Sequence, residues 1–232
     1  MEAQYFGRLT WQQAKKAKGK TVILPLGALE EHGPHLPLST DTMVPMELAK
    51  RVSERTGALV LPPVEYGYVF TLRDFPGTMT LRHSTYAALI TDIVTECVRH
   101  GFGKILIING HGGNSSIVKN ALNELSLTTK FRACMVSWWE LKELGISAGH
   151  ADETEASVLL ACLDDWPLSK PRQLYAKTYF GYNIPRPKDA IFTTLGYAGA
   201  VKNISRERGK KILKDVENKL VKLVKANLLL RE

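Results

Sequence analysis

No run in this 232-residue chain approaches the roughly 18 consecutive apolar residues that a membrane helix needs. Residues 1–20 are polar and lysine-rich and lack the apolar centre of a secretory leader. Cysteine is scarce. Cys97, Cys134 and Cys162 are odd in number, far apart and outside any CxxC pair. That excludes a disulfide framework and a thiolate zinc site, and it predicts reduced, buried thiols in a cytoplasmic protein. There is no internal repeat and no low-complexity tract, so a membrane protein, a disordered chain and a repeat array are all excluded.

Acidic charge is also short, since 31 Lys and Arg stand against 23 Asp and Glu, a net of +8. Such a balance invites a nucleic-acid reading, but the excess lies at the ends. Residues 1–20 carry +4, residues 205–232 carry +5, and the 184 residues between them sum to −1. The body is therefore neutral. The basic C-terminal segment also lacks the interleaved aromatics of a single-strand platform. A basic module binding nucleic acid or a partner remains the contrasting class, and it would be metal-free and salt-sensitive. The expectation is no nucleic acid and no membrane partner.

What is present is an alternation of short apolar runs and amphipathic stretches, which indicates one α/β domain over residues 1–232 with a mostly parallel sheet. The expected architecture is a three-layer α/β/α sandwich with its site at the carboxyl ends of the strands. Strands are predicted at 22–26, 58–61, 105–108 and 133–137, each uniformly aliphatic as buried parallel strands are. Helices are predicted at about 42–57, 84–101 (Ser84 as N-cap), 117–127, 153–163 and 205–229. In the last, Ile212, Val216, Leu220, Leu223 and Val224 share a face, and the lysines read as solvated. Residues 166–197, with four prolines, read as an irregular surface excursion.

Three polar clusters fall where strands end. The first is Pro25-Leu-Gly-Ala-Leu-Glu30-Glu31-His32-Gly-Pro-His35-Leu-Pro-Leu-Ser-Thr-Asp41. The second is Asn109-Gly-His111-Gly-Gly-Asn114, and the third is His150-Ala-Asp152-Glu153-Thr-Glu155-Ala-Ser157. Carboxylates and imidazoles without thiolates suit zinc, manganese or iron(II). Glu30, His32, Asp41, His111 and Glu155 make five potential ligands, enough for two ions sharing Asp41. Other readings stand beside this. Glu153 and Glu155 could serve only as acids at a helix N-terminus, and Glu31 and His35 could face solvent or support the ligands.

These motifs, with Phe75-Pro-Gly-Thr and Asn203-Ile-Ser-Arg-Glu-Arg-Gly, resemble the creatininase family of metal-dependent amidohydrolases over about residues 20–215. The resemblance implies a binuclear site, with Glu30, Asp41 and His111 on one metal and His32, bridging Asp41 and a further acid on the other. Creatininase carries a Glu at the position of Gly113, so Glu155 is expected to replace it. His150 is implied in proton transfer and Trp139 as an active-site tryptophan. Creatininase also has a tryptophan at the position of Ile146, which argues against creatinine as substrate. The chain looks most like an archaeal branch that includes a formamide hydrolase acting on a ribosylaminopyrimidine phosphate with iron(II); creatinine hydrolysis, or peptide-bond cleavage like that of the mycofactocin-pathway member, is the alternative within the family. A phosphorylated small molecule would call on Arg73, Arg82, Arg186 or Lys188, which could equally be surface charges, and Asn114 is a further candidate for meeting substrate. The family also implies a homo-oligomer, dimer to hexamer, and two divalent ions (Fe2+, Zn2+ or Mn2+, with Fe2+ for a deformylase).

Overall fold

All five residues of Val22–Leu26 are buried, and this strand, β2, forms the middle of a five-stranded sheet. A computed structural model describes residues 1–140, 146, 148–163, 166–167, 196–226 and 228. The other strands are β1 (Gln4–Tyr5), β3 (Leu59–Val60), β4 (Lys104–Asn109) and β5 (Arg132–Ser137). Their order is β1-β3-β2-β4-β5, and every pairing is parallel. The helices are α1 (Trp11–Lys16), α2 (Thr40–Thr56), α3 (His83–Arg99), α4 (Ser115–Ser126), α5 (Glu153–Cys162) and α6 (Arg206–Lys225).

Alternate residues along a strand point to opposite faces, and here both faces are covered. Ile23, Val60, Leu106 and Ile108 face α2, α5 and α6, whose Leu48, Val52, Val158 and Leu213 complete that half of the core. Val22, Leu24, Ile105 and Ile107 face α3 and α4 through Tyr86, Ile90, Val94 and Ile117. This is the expected three-layer sandwich. Each such side chain, fully buried, stabilises the fold by about 1.5–3 kcal/mol.

Register fixes where the chemistry sits. Leu26 pairs with Asn109, and Asn109 with Ser137, so β2, β4 and β5 end together. The segments that follow, 27–39, 110–114 and 138–140, therefore emerge side by side.

Several expectations are corrected by the structure. Residues 1–20 hold β1 and α1, where no element was expected, and α1 begins with a capping box between Thr10 and Gln13. The N-cap of α3 is Arg82, not Ser84, because His83 already has helical conformation. Helix α2 starts at Thr40, and α4 at Ser115. The cysteines are half-buried rather than buried. The apolar edge of α6 faces the core through Val216, Leu220 and Val224. Most of 166–197 lies outside the described residues. Among the described residues, no helix is long and apolar enough to cross a membrane.

Candidate metal centre

Glu30 and His32 lie on the loop after β2. That loop is folded back by a hydrogen bond from Glu30 N to the Leu38 carbonyl (3.0 Å) and stiffened by Pro34 and Pro37. Asp41 sits in the first turn of α2. Pro45, one turn further on, has no N–H to give to the Asp41 carbonyl, and Gly110 packs at that carbonyl with no room for a Cβ. His111 follows on the same turn after β4, preceding a single 3-10 turn, Gly112–Asn114. His150 is held by paired backbone hydrogen bonds with Ala198 (3.0 and 2.8 Å). The next residue, Ala151, takes a left-handed conformation (φ 49°), and Glu155 lies in the first turn of α5.

The three histidines share one device. His32 donates from Nδ1 to the Glu30 carbonyl (3.1 Å), His111 from Nε2 to the Tyr68 carbonyl (3.0 Å), and His150 from Nε2 to the Glu31 carbonyl (2.8 Å). Such outward bonds fix the tautomer and aim the other nitrogen inward. His32 Nε2 lies 3.0 Å from Asp41 Oδ1 and 3.9 Å from Glu155 Oε2. His111 Nδ1 lies 3.1 Å from Glu30 Oε1 and 3.0 Å from Asp41 Oδ2, and His150 Nδ1 lies 3.4 Å from Glu30 Oε1. Three groupings thus offer ligand atoms within 4.8 Å of one another: Glu30–Asp41–His111, His32–Asp41–Glu155 and Glu30–His32–His150.

The electrostatics ask for positive charge in this space. Glu30, His32, Asp41 and Glu155 are all buried. Burial alone would neutralise the imidazoles, but the Asp41 carboxylate outweighs it and pushes His32 up to about 10. For His111, likewise, burial is outweighed by Glu30 and Asp41, and the ring is held well above its usual range. Asp41, despite its burial, is held below the carboxylate range by His32 and His111. Burial raises Glu155 to about 8. Burial and the neighbouring His32 lower His150 to about 4, so its ring is neutral at pH 7.

Other sequence expectations divide. Trp139 is half-buried and lines the same cavity, of about 270 Å3, together with His150, Glu155 and Gly113. Gly113 has no space for a side chain, because a Cβ would strike the Tyr68 carbonyl and the His111 ring. An acid at that position is therefore excluded in this arrangement, and besides Asp41 the acid near His32 is Glu155, at 3.9 Å. Asp152, in the same cluster, caps α5, accepting from Thr154 N, Glu155 N and Gly149 N. Glu153 binds Arg208 Nη1 (3.0 Å) and Asn203 N (2.9 Å), tying α6 to α5. Asn114, expected to meet substrate, is fully buried, with its amide bonded to Tyr68 N and the Gly27 carbonyl. Arg82 is exposed at the start of α3 and does not line the cavity. Arg73 does not line the cavity either, but its guanidinium lies over the ring of Phe70, which does. Arg186 and Lys188 lie outside the described residues.

Glu31 and His35 are buried, not solvent-facing. Glu31 Oε1 approaches His150 Nε2 (3.3 Å), and burial raises this carboxyl to about 7. His35 packs edge-on against Tyr197, and burial lowers it to about 4. The Tyr68 carbonyl and the Phe70 ring were missed altogether. A backbone carbonyl leaves no mark in sequence, and one aromatic in a loop is no signal.

Comparison with known proteins agrees with this fold. The creatininase family profile, described as creatinine amidohydrolase, matches residues 7–224. The creatinine amidohydrolase of Pseudomonas putida is 32% identical, covering 90% of this chain and 91% of that one. The mycofactocin precursor peptide peptidase of Mycolicibacterium smegmatis is 29% identical, covering 85% and 81%. A 2-amino-5-formylamino-6-ribosylaminopyrimidin-4(3H)-one 5'-monophosphate deformylase of Methanococcus maripaludis is 32% identical over 59% of this chain and 57% of its own. Among solved structures, a mutant creatininase complexed with creatine superposes with a TM-score of 0.87 at 25% identity, covering 99% of this chain and all of that one. Others of similar likeness are a manganese form and a Zn-Zn form of creatininase. With its profile match, its fold and its clustered carboxylates and imidazoles, the chain belongs to the creatininase family of metal-dependent amidohydrolases.

Proposed function

We propose that this chain hydrolyses a non-peptide amide C–N bond at the Glu30–His32–Asp41–His111–Glu155 cluster, and that the amide is a formamide on a phosphorylated ribosylaminopyrimidine. The observation that carries the site is the inward aim of His32 Nε2 and His111 Nδ1 onto buried carboxylates. With their other nitrogens committed as donors, the inward nitrogens need positive charge to face these carboxylates; a second proton on each ring supplies it, and a bound cation would take the place of those protons. Glu30 Oε2 adds a buried oxygen with no hydrogen-bond partner. The residues therefore fit divalent metal. Glu30, Asp41 and His111 would hold one ion, and His32, Asp41 and Glu155 a second. When bound, such ions supply an activated water and polarise a carbonyl.

The remaining work falls to the chain's own groups. Hydrolysis of an amide stalls unless the departing nitrogen is protonated, because an amide anion is too poor a leaving group. His150 is placed for that transfer. Its Nε2–H is tied to the Glu31 carbonyl, its Nδ1 faces the cavity, and it is neutral at pH 7, so Nδ1 can take a proton and pass it on. The Glu31 carboxylate beside Nε2 steadies the ring as it gains charge.

The formamide reading is supported by Ile146 and Gly113, which stand where creatininase has a tryptophan and an acid, and by the cation Arg73 on the ring of Phe70, a residue that lines the cavity. Creatinine is the second reading, favoured by the end-to-end match to the Pseudomonas enzyme. Anaerobic purification with metal analysis, followed by assay on both compounds, separates them. Formate release supports the first, creatine release replaces it with the second, and a metal-replete protein inert to both overturns the pair.

A further inference from the structure

Phe70 is 51% exposed at the edge of the cavity, while the carboxylates it shares that cavity with are buried. The ring therefore stands at the mouth and the acids lie deep. Its exposure does not come from a loose loop. Val69 and Leu72 on either side are buried in a small cluster with Ala28, and Val69 N donates to Thr80 Oγ1 (2.8 Å). Tyr68 is fixed twice more, by Asn114 Oδ1 on its N–H (3.1 Å) and by His111 on its carbonyl. With its neighbours pinned inward, Phe70 is turned outward, on the segment that also orients a candidate ligand.

The surroundings of the ring are specific. The Tyr68 and Phe70 rings are nearly parallel, 16° apart with centroids 6.2 Å from one another. The Arg73 guanidinium lies 4.4 Å from the Phe70 centroid, a cation–π contact, with Asp74 as an ion-pair neighbour at 3.9 Å. Aromatic groups stack on such platforms whatever their substituents, and an arginine beside one is a forked donor for carboxylate or phosphate.

We propose that Phe70, with the Tyr68 ring nearly parallel to it and the Arg73 guanidinium over one face, is a specificity-determining platform whose exposed part seats the planar, unsaturated ring of an anionic amide while the amide itself reaches the acids below. This rests on the amide-hydrolase reading above and names the class of substrate it admits. The platform prefers flat rings over saturated ones of equal size, and Arg73 adds preference for a negative substituent.

The test uses metal-loaded enzyme and three amides: formanilide, N-cyclohexylformamide and 4-formamidobenzoate. Intrinsic reactivities cancel when each ratio of kcat/KM is compared between wild type and variant. Phe70→Leu should lower the formanilide to N-cyclohexylformamide ratio about tenfold, mainly through KM. Arg73→Gln should lower the 4-formamidobenzoate to formanilide ratio about fivefold, with the wild-type preference fading as salt rises. Ratios unchanged in the variants overturn the platform. So does a change in oligomeric state of Phe70→Leu on size-exclusion chromatography, which would assign the ring to a subunit contact. If wild type hydrolyses none of the three, that counts against the amide reading, and calorimetry with the product 4-aminobenzoate still reads the platform. Binding weakened by Phe70→Leu supports it, while equal or absent binding overturns it.

Discussion

Gly110 lies so close to the main-chain carbonyl of Asp41 that no side chain fits between the turn after β4 and the first turn of α2. Two of the three polar clusters meet through this contact, which sets the distance from the Asp41 carboxylate to the His111 ring on the next residue. Gly110→Ala should therefore separate these groups without removing either. Because the clash is with backbone, the cost is at least the ~1–3 kcal/mol of ordinary overpacking, so a native circular-dichroism spectrum is required before affinity is compared. Metal affinity, read by competition with a chelator, should fall tenfold or more, as it does when groups supporting ligands are disturbed. Unaltered affinity in a folded Gly110→Ala protein would refute the account of how Asp41 is positioned.

The join between α2 and α6 depends on one acid. Glu217 is 5% exposed and accepts from Arg55 Nη1 at 2.6 Å, with Arg51 and Lys214 at 3.9 and 3.7 Å. Glu217→Ala would leave the Arg55 guanidinium without its carboxylate and open a hole beside Val216 and Leu220. Arg55 is itself about 39% exposed, so water recovers part of the loss. The expected cost is about 1–3 kcal/mol, seen as a lower urea midpoint at unchanged slope. Since the join lies away from the metal cluster, metal content at saturation should not move.

How much of this was legible beforehand follows from which interactions are local. β2 is read directly from Val22 to Leu26, because five buried residues in a parallel strand leave an unbroken apolar run. The ligand candidates are legible because glutamate, histidine and aspartate at strand ends are rare without a purpose. β1 was missed because two half-buried residues have no period to detect, and α1 because no residue of its short span is buried. The role of Asn114 was misread because its partners, Tyr68 N and the Gly27 carbonyl, are backbone groups far away in sequence. The cap formed by Asp152 was not legible either, because a capping carboxylate and a metal-binding one are the same residue type. Only the hydrogen bonds to Thr154 N and Glu155 N tell them apart.

The thiols give a prediction with a definite sign in pH. Burial pushes Cys97 up to about 11 and Cys162 up to about 12, with Glu96 and Glu47 respectively adding to the rise, and burial raises Cys134 as well. Only the thiolate reacts, and an unperturbed thiol titrates near 8.5. At pH 8 the folded thiols hold far less thiolate than unfolded ones, and their greater basicity recovers only part of the rate. Alkylation of native protein by iodoacetamide should be tenfold or more slower than in denaturant, and it should quicken steadily as pH rises from 7 to 10. A native protein that reacts at the unfolded rate at pH 8 would contradict the burial.

Asp41 and His150 offer the sharpest separation of binding from chemistry. Asp41 reaches His32 with one carboxylate oxygen and His111 with the other, so it belongs to both candidate ion positions. Asp41→Ala should lose both ions together, along with activity, and the stoichiometry after dialysis should fall to zero rather than to half. An active, metal-replete Asp41→Ala protein would sink the shared-ligand assignment. His150 stands further off, 3.4 Å from Glu30 Oε1, with its other nitrogen tied to the Glu31 carbonyl. His150→Ala should retain metal while turnover falls about 10²–10⁴-fold, the usual worth of a positioned proton-transfer group. If His150→Ala instead sheds an ion, the ring is a ligand in the Glu30–His32–His150 grouping, and the departing nitrogen must find its proton elsewhere.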